Sequence, residues 1–153
     1  MEKFWWEKLK AVQIKDPDLE KVAALGKYVF IDVYGKDCHY CYNLRGPYNK
    51  LYSHFVDNPK TRKDIVIARV DGGDNAKLAD LLDVKSYPML FLITPHNPGF
   101  PITYEYGHNY SDMSLFLEKL PKLDSSGSNV PRKEKAESLK VEGEEKNKIE
   151  EVL

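Results

Sequence analysis

The chain has 153 residues, 42% hydrophobic and 12% aromatic, which suffices for one compact domain with a real core but hardly for two. Its 23 lysines and arginines against 24 aspartates and glutamates leave a net charge of -1, so no field draws nucleic acid or an anionic membrane surface to it. No apolar run approaches the roughly 20 residues that span a bilayer, MEKFWWEKLK lacks the uninterrupted apolar stretch of a signal peptide, and two cysteines are too few for a stapled secreted framework.

Taken in chain order, residues 3–14 and 17–25 read as helices, the second opening at Asp16 or Asp18 as a cap and closing at Gly26. YVFIDVYG, 28–35, is an apolar, β-branched run ended by glycine, which predicts a buried strand with one intruder, Asp32. After the cysteines, YNLRGPYNKLYSHFVD reads as a helix with Leu44, Tyr48, Leu51 and Phe55 on one face and an interruption at Gly46-Pro47. IVIARVD, 65–71, predicts a second buried strand and NAKLADLLDV a helix. MLFLIT, 89–94, and ITYEYG, 102–107, predict two strands joined through Pro95, Pro98 and Pro101, and SDMSLFLEKL, 111–120, a capped amphipathic helix. Alternating strands and helices imply an α/β chain with a mixed sheet covered on both faces, and functional groups where a strand's carboxyl end meets a helix.

The character changes near residue 121. LDSSGSNVPRKEKAESLKVEGEEKNKIEEVL is polar, lacks aromatics and is broken by Gly127, Pro131 and Gly143, and so few apolar groups do not offset the entropy of ordering a backbone. The expected organisation is one domain over 1–121, with a helical extension at 1–15, and a charged tail over 122–153. A stretch of helix from about Lys133, docking weakly through Leu139, Ile149, Val152 and Leu153, is the alternative.

Both cysteines lie in KDCHYCYNL, 36–44, with two residues between them. Cys38 falls after a strand, at the start of a helix, where unpaired backbone N–H groups and the positive end of the helix dipole favour a thiolate. Cys41 sits one turn further in, near enough to attack a mixed disulfide on Cys38. A zinc site wants four ligands, and His39, His54, His96 and His108 include no pair at finger spacing, so no metal is expected. The placement favours a redox couple over two inert buried thiols.

The segment YVFIDVYGKDCHYCYNLRGPYNKL resembles the active-site segment of thioredoxin-fold proteins, and most of all the catalytic domains of protein disulfide isomerases. The similarity runs on through IVIARVDGGDN, LADLLDVKSYPMLFL and YEYGHNYSDMSLFLEKL, about residues 20–120. It implies a thioredoxin-like three-layer sandwich with a mixed central sheet, thiol–disulfide exchange by Cys38 and Cys41 with no other cofactor, and a cis bond before Pro88. It further implies that the backbone of Tyr87, beside Pro88, pairs with an extended substrate, with Tyr34, Tyr40 and Tyr87 as apolar contacts. Asp32, six residues before Cys38, holds the position of a buried acid that serves proton transfer at the second cysteine; a structural acid is the alternative. Arg69 matches that acid's basic neighbour, and either reaches Asp32 and holds it ionised or extends to solvent. His108 falls about where some isomerase domains carry a mobile arginine.

The departures bear on the nucleophile. Asp37 stands where the family usually has tryptophan; its carboxylate disfavours the Cys38 thiolate, or its side chain caps the helix. His39 and Tyr40 replace the isomerases' Gly-His, and a protonated His39 would stabilise the thiolate. Gly46 takes the place of the usual kinking proline, with Pro47 following. The implied function is disulfide exchange with protein or peptide thiols and disulfides by a monomer. A reductase, an oxidase or glutathione serves as redox partner, and neither nucleic acid nor membrane is involved. A general cytosolic reductase of thioredoxin type and a non-catalytic binding or chaperone module are the other readings. The compartment follows as the secretory pathway if a leader has been removed and the cytoplasm otherwise; the terminal EEVL does not resemble the usual retention signal.

Overall fold

The computed structural model describes residues 1–123. Strands β1 (Val12–Gln13), β2 (Tyr28–Tyr34), β3 (Ile65–Asp71), β4 (Met89–Ile93) and β5 (Ile102–Tyr104) form one sheet in the order β1-β3-β2-β4-β5. The pairs β1–β3 and β2–β3 are parallel, and β2–β4 and β4–β5 antiparallel. Helices α1 (Leu19–Ala23) and α3 (Ala76–Leu82) cover one face, and α2 (His39–Tyr52) and α4 (Tyr110–Glu118) the other.

Strand β2 explains this layering. All seven of its residues are buried, so both faces must be covered. Its alternation sends Val29, Ile31 and Val33 into the core under Leu78 and Leu82 of α3, and Tyr28 and Phe30 into the core under Leu44, Tyr48 and Leu51 of α2. Asp32, between Phe30 and Tyr34, therefore leaves on the α2 side.

Several elements differ from the sequence-based expectations. The helix predicted over 3–14 is absent: Trp5–Lys8 form a single 3-10 turn, and Val12–Gln13 then pair with Ala68 and Arg69. The side chain of Asn49 on α2 accepts from the Lys10 amide at 2.8 Å and donates to the Lys8 carbonyl at 3.1 Å. These partners, some 40 residues away, satisfy backbone groups that a local helix would have used.

The second predicted helix is a 3-10 turn over Asp16–Asp18 followed by the short α1. It ends at Ala23 with Ala24 as its C-cap, and Gly26, two residues beyond, has φ +71, the left-handed conformation that suits glycine. Asp16 caps a different helix: its carboxylate accepts from the amides of Leu78 at 2.8 Å and Lys77 at 3.2 Å, in the first turn of α3. The interruption predicted at Gly46-Pro47 is also absent. Pro47 supplies no N–H to the Asn43 carbonyl, yet α2 runs through it to Tyr52 and only then passes into a π-helical turn over Ser53–Asp57.

At the end of the domain, Arg62 binds the Asp64 carboxylate with two hydrogen bonds, at 2.6 and 2.7 Å, and donates to the carbonyls of Leu117, Leu120 and Pro121. The Tyr28 hydroxyl also donates to the Pro121 carbonyl, at 2.7 Å. Leu123 follows with its amide on Asp64 and its side chain against the core. The remainder of the expected tail, 124–153, lies outside the described residues.

Candidate active site

Cys38 is the N-cap of α2 and is joined to Cys41 as a disulfide. Its Sγ accepts from the Cys41 backbone amide at 3.1 Å, so a helix-start N–H is aimed at the sulfur that would carry negative charge after reduction. The sulfur itself is the cap, and the cap role weighed for Asp37 falls away. The two cysteines differ in access: Cys38 is half-buried, whereas Cys41 is 1% exposed. Iodoacetamide added to the reduced protein at neutral pH is therefore expected to alkylate Cys38 at least about tenfold faster than Cys41. Peptide mapping after short exposure checks this, and preferential modification of Cys41 would reverse the roles.

The cover over Cys41 comes from the N-terminus. Trp5 is buried with Tyr34, Leu9 and Cys41, its ring edge-on to Tyr34 at 5.6 Å. Its indole N–H donates to the Lys36 carbonyl at 3.0 Å, pinning the loop that delivers Cys38. Lys36 lies over the Trp6 ring at 5.0 Å and bridges Asp71 and Asp74 at 3.2 and 3.1 Å, and the hydrogen bonds to Asp74 and Asp71 raise its pKa. Sequence reasoning assigned no role to Trp5 or Lys36. The one available signal was a tryptophan pair in an otherwise charged terminus.

The Tyr87–Pro88 bond is cis, as the resemblance implied. The Tyr87 ring lies across the backbone of the loops that follow β2 and β3. A Cβ built on Gly35 would stand 2.7 Å from this ring, and one on Gly72 would stand 2.5 Å from it, so both positions need glycine for the ring to seat. Tyr87 is 39% exposed and Tyr40 75% exposed, consistent with surface roles. Tyr34 is different: at 1% exposure it lies under Trp5 and offers no surface to a substrate. A groove of about 370 Å³ opens beside Cys38, bounded by Asp37, Tyr87 and the Lys36, Asp71 and Asp74 cluster. A larger depression of about 550 Å³, over Tyr106, Phe116 and Leu120, contains neither sulfur.

Asp32 is 2% exposed, and its Oδ1 has no hydrogen-bond partner among the described residues. Burial raises its pKa from 3.8 to about 7, against an opposing pull from the Arg69 charge. Arg69 is half-buried and forms no ion pair with Asp32. Its Nη1 donates to the Tyr34 hydroxyl at 2.9 Å and its Nε to the Ala11 carbonyl at 3.3 Å. His39 is exposed, its ring 6.3 Å from that of Tyr42. His108 is exposed and stacks on Tyr104 at 6.3 Å, and no described contact joins it to either cysteine. Among the described residues there is no group of three or more His, Cys, Asp or Glu able to hold a metal, and no helix is long and apolar enough to cross a membrane.

The fold thus carries a buried acid on β2, a C-x-x-C disulfide at a strand-to-helix junction and, lining the groove beside Cys38, Tyr87 of the cis Tyr87–Pro88 bond, and the thioredoxin family model matches residues 12–118. The chain belongs to the thioredoxin family. It is 26% identical over 127 residues to a protein disulfide-isomerase of Datisca glomerata, covering 83% of this chain and 24% of that one. The first thioredoxin domain of mouse protein disulfide-isomerase A4 superposes with a TM-score of 0.62 at 20% identity, over 80% of each chain. Human ERp44 in its zinc-bound form gives 0.63 at 13% identity, over 72% of this chain and 32% of that one. The chain spans about a quarter of the length of the curated relatives it matches. As a thioredoxin-family member, it carries the α/β sandwich that the resemblance implied.

Proposed function

We propose that this thioredoxin-family domain is a thiol–disulfide oxidoreductase of the disulfide-isomerase kind, exchanging disulfides with protein or peptide substrates. The observation that carries the reading is the Cys38–Cys41 disulfide at the α2 start, with one sulfur accessible and capped by an amide and the other buried on the side of the sheet that carries Asp32.

In the reducing direction, the Cys38 thiolate attacks a substrate disulfide, and one substrate sulfur leaves as a thiolate. Cys41 then gives its proton to the Asp32 carboxylate and attacks the Cys38 sulfur of the mixed disulfide. The Cys38–Cys41 bond forms, the bond from Cys38 to substrate breaks, and the second substrate thiolate leaves and is protonated by solvent. The pair is oxidised and the substrate reduced; the reverse sequence oxidises a substrate dithiol. The substrate backbone pairs with Tyr87 beside the cis bond, a mode that reads main chain more than side chains and accepts many sequences. One chain supplies every part, so the domain works as a monomer, with glutathione or a dedicated oxidoreductase resetting the pair.

Insulin reduction by wild-type protein and by Cys38→Ser tests the reading. Activity lost in the variant is expected, while an inactive wild-type protein would leave a non-catalytic binding module. Titration in glutathione buffers sets the direction. A potential near -180 mV favours an oxidase or isomerase in an oxidising compartment such as the secretory pathway, and one near -270 mV a cytosolic reductase.

Asp37 lines the groove with Cys38, and its carboxylate opposes the thiolate that the helix start favours. Asp37→Asn is expected to lower the Cys38 pKa by up to about one unit and to raise the reduction potential, because stabilising the thiolate stabilises the reduced state. Thiolate absorbance near 240 nm against pH reads the shift. An unchanged value would mean that this carboxylate points away from the sulfur.

A further inference from the structure

Asp32 and Arg69 are register partners on adjacent parallel strands, so their side chains leave the same face of the sheet side by side. A carboxylate and a guanidinium so placed ordinarily form a charge-assisted pair. Here the pair is not made. Arg69 directs its Nη1 to the Tyr34 hydroxyl and its Nε to the Ala11 carbonyl, while Asp32 Oδ1 stays buried and, among the described residues, without a hydrogen-bond partner. The Tyr34 ring is itself fixed, at 1% exposure, by the edge of Trp5.

We propose that Tyr34 is a positioning residue: its hydroxyl, with the Ala11 carbonyl, holds the Arg69 guanidinium off the Asp32 carboxyl and leaves that carboxyl unpaired for proton transfer with Cys41. The inference rests on the exchange chemistry proposed above. Among the described residues, few groups are placed against Asp32: β2 supplies Tyr34, β3 supplies Arg69, α2 supplies Tyr48, and from β4 the register partner is the apolar Leu90. Cys41 is buried in the cluster that holds Tyr34, on the same side of the sheet. The Tyr48 hydroxyl is already committed to the carbonyls of Phe30 and Ala68, at 3.1 and 2.7 Å. Among the described residues, Arg69 is thus the cation whose placement sets how strongly the Asp32 carboxylate is held. Paired with a guanidinium, it would be a weaker base and a slower acceptor of the Cys41 proton.

The test is the titration of Asp32 in the oxidised protein, read from its carboxyl stretch in infrared difference spectra. Tyr34→Phe frees the guanidinium to turn to the nearest buried acceptor, and the Asp32 midpoint is expected to fall by a unit or more. In an Arg69→Gln background, the same Tyr34→Phe change is expected to move the midpoint by less than a few tenths of a unit, because the hydroxyl acts only through the arginine. A midpoint unchanged or raised by Tyr34→Phe, or a full shift persisting without Arg69, would overturn the assignment. If Tyr34→Phe does not fold, Arg69→Lys reads the same quantity. A lysine ammonium lacks the fork that reaches both Tyr34 and Ala11, and the midpoint should again fall; no fall would count against the proposal. The oxidised protein does not turn over, so this titration stands or falls separately from the insulin assay that tests the exchange reading.

Discussion

Asp32→Asn will stabilise the oxidised protein at pH 8 by up to about 4 kcal/mol and leave it unchanged below about pH 4. The magnitude follows from the shift of the carboxyl from 3.8 to about 7, at 1.36 kcal/mol per unit. The sign follows from linkage. Between the two values the folded state holds a proton that the unfolded state has released, so stability falls as pH rises. The full penalty is present above pH 7, where a carboxylate must be charged inside the core. The asparagine amide is polar but never charged, and it removes that penalty without emptying the site. Urea midpoints at pH 8 and pH 4 read the difference, and an equal effect at both would mean that Asp32 is not the titrating group. The same substitution removes the proton acceptor for Cys41. Release of a mixed disulfide from Cys38 at neutral pH is expected to slow by about two orders of magnitude, within the range of a lost general base. Greater stability with lower activity is the combination that separates a functional acid from a structural one, since removing a structural acid would weaken the fold.

Truncating Arg62 acts in the opposite direction. Arg62→Ala is expected to cost about 3–5 kcal/mol, the range for removing one partner of a buried ion pair, and to lower the melting temperature by on the order of 10 °C or more. The Arg62 and Asp64 side chains are 5% and 15% exposed. Losing the guanidinium strands a carboxylate and also the carbonyls of Leu117, Leu120 and Pro121 at the end of α4. Burial alone would raise the Asp64 pKa, but the Arg62 hydrogen bonds and charge, together with the backbone amides of Leu123 and Asp64, outweigh it and hold the value below 3.8. The stability from this pair is therefore present at neutral pH and is lost as pH falls below about 4. Thermal melts of the wild type and Arg62→Ala should differ widely at pH 7, and the gap should narrow in acid by the share that belongs to the Asp64 carboxylate, leaving the share that belongs to the carbonyls. A loss of less than about 1 kcal/mol at pH 7 would show that the clamp is dispensable.

The strands at 28–34 and 65–71 and the buried face of α2 were legible because their information is local. A β-branched run bounded by glycine, and apolar residues recurring at helical spacing, constrain the same residues that they describe. The Cys38–Cys41 pair at a strand-to-helix junction was legible for the same reason, and the cis bond at Tyr87–Pro88 followed from resemblance. Residues 3–14 carry a helical pattern, yet they become a turn and an edge strand. Ala68 and Arg69 offer a ladder, and Asn49 holds the backbone on either side of Leu9. Asp16 reads as the cap of its own helix and instead caps α3, whose first turn lies about 60 residues on. The partner of Arg69 was likewise undetermined, because strand register set the arginine beside Asp32 while the hydroxyl that captured it came from Tyr34, two residues along β2. The sequence determined which segments would be buried and where the two thiols would sit. Only the tertiary structure decided which distant backbone groups and side chains would satisfy one another's hydrogen bonds, since a buried polar group takes whichever partner the completed fold places within about 3 Å.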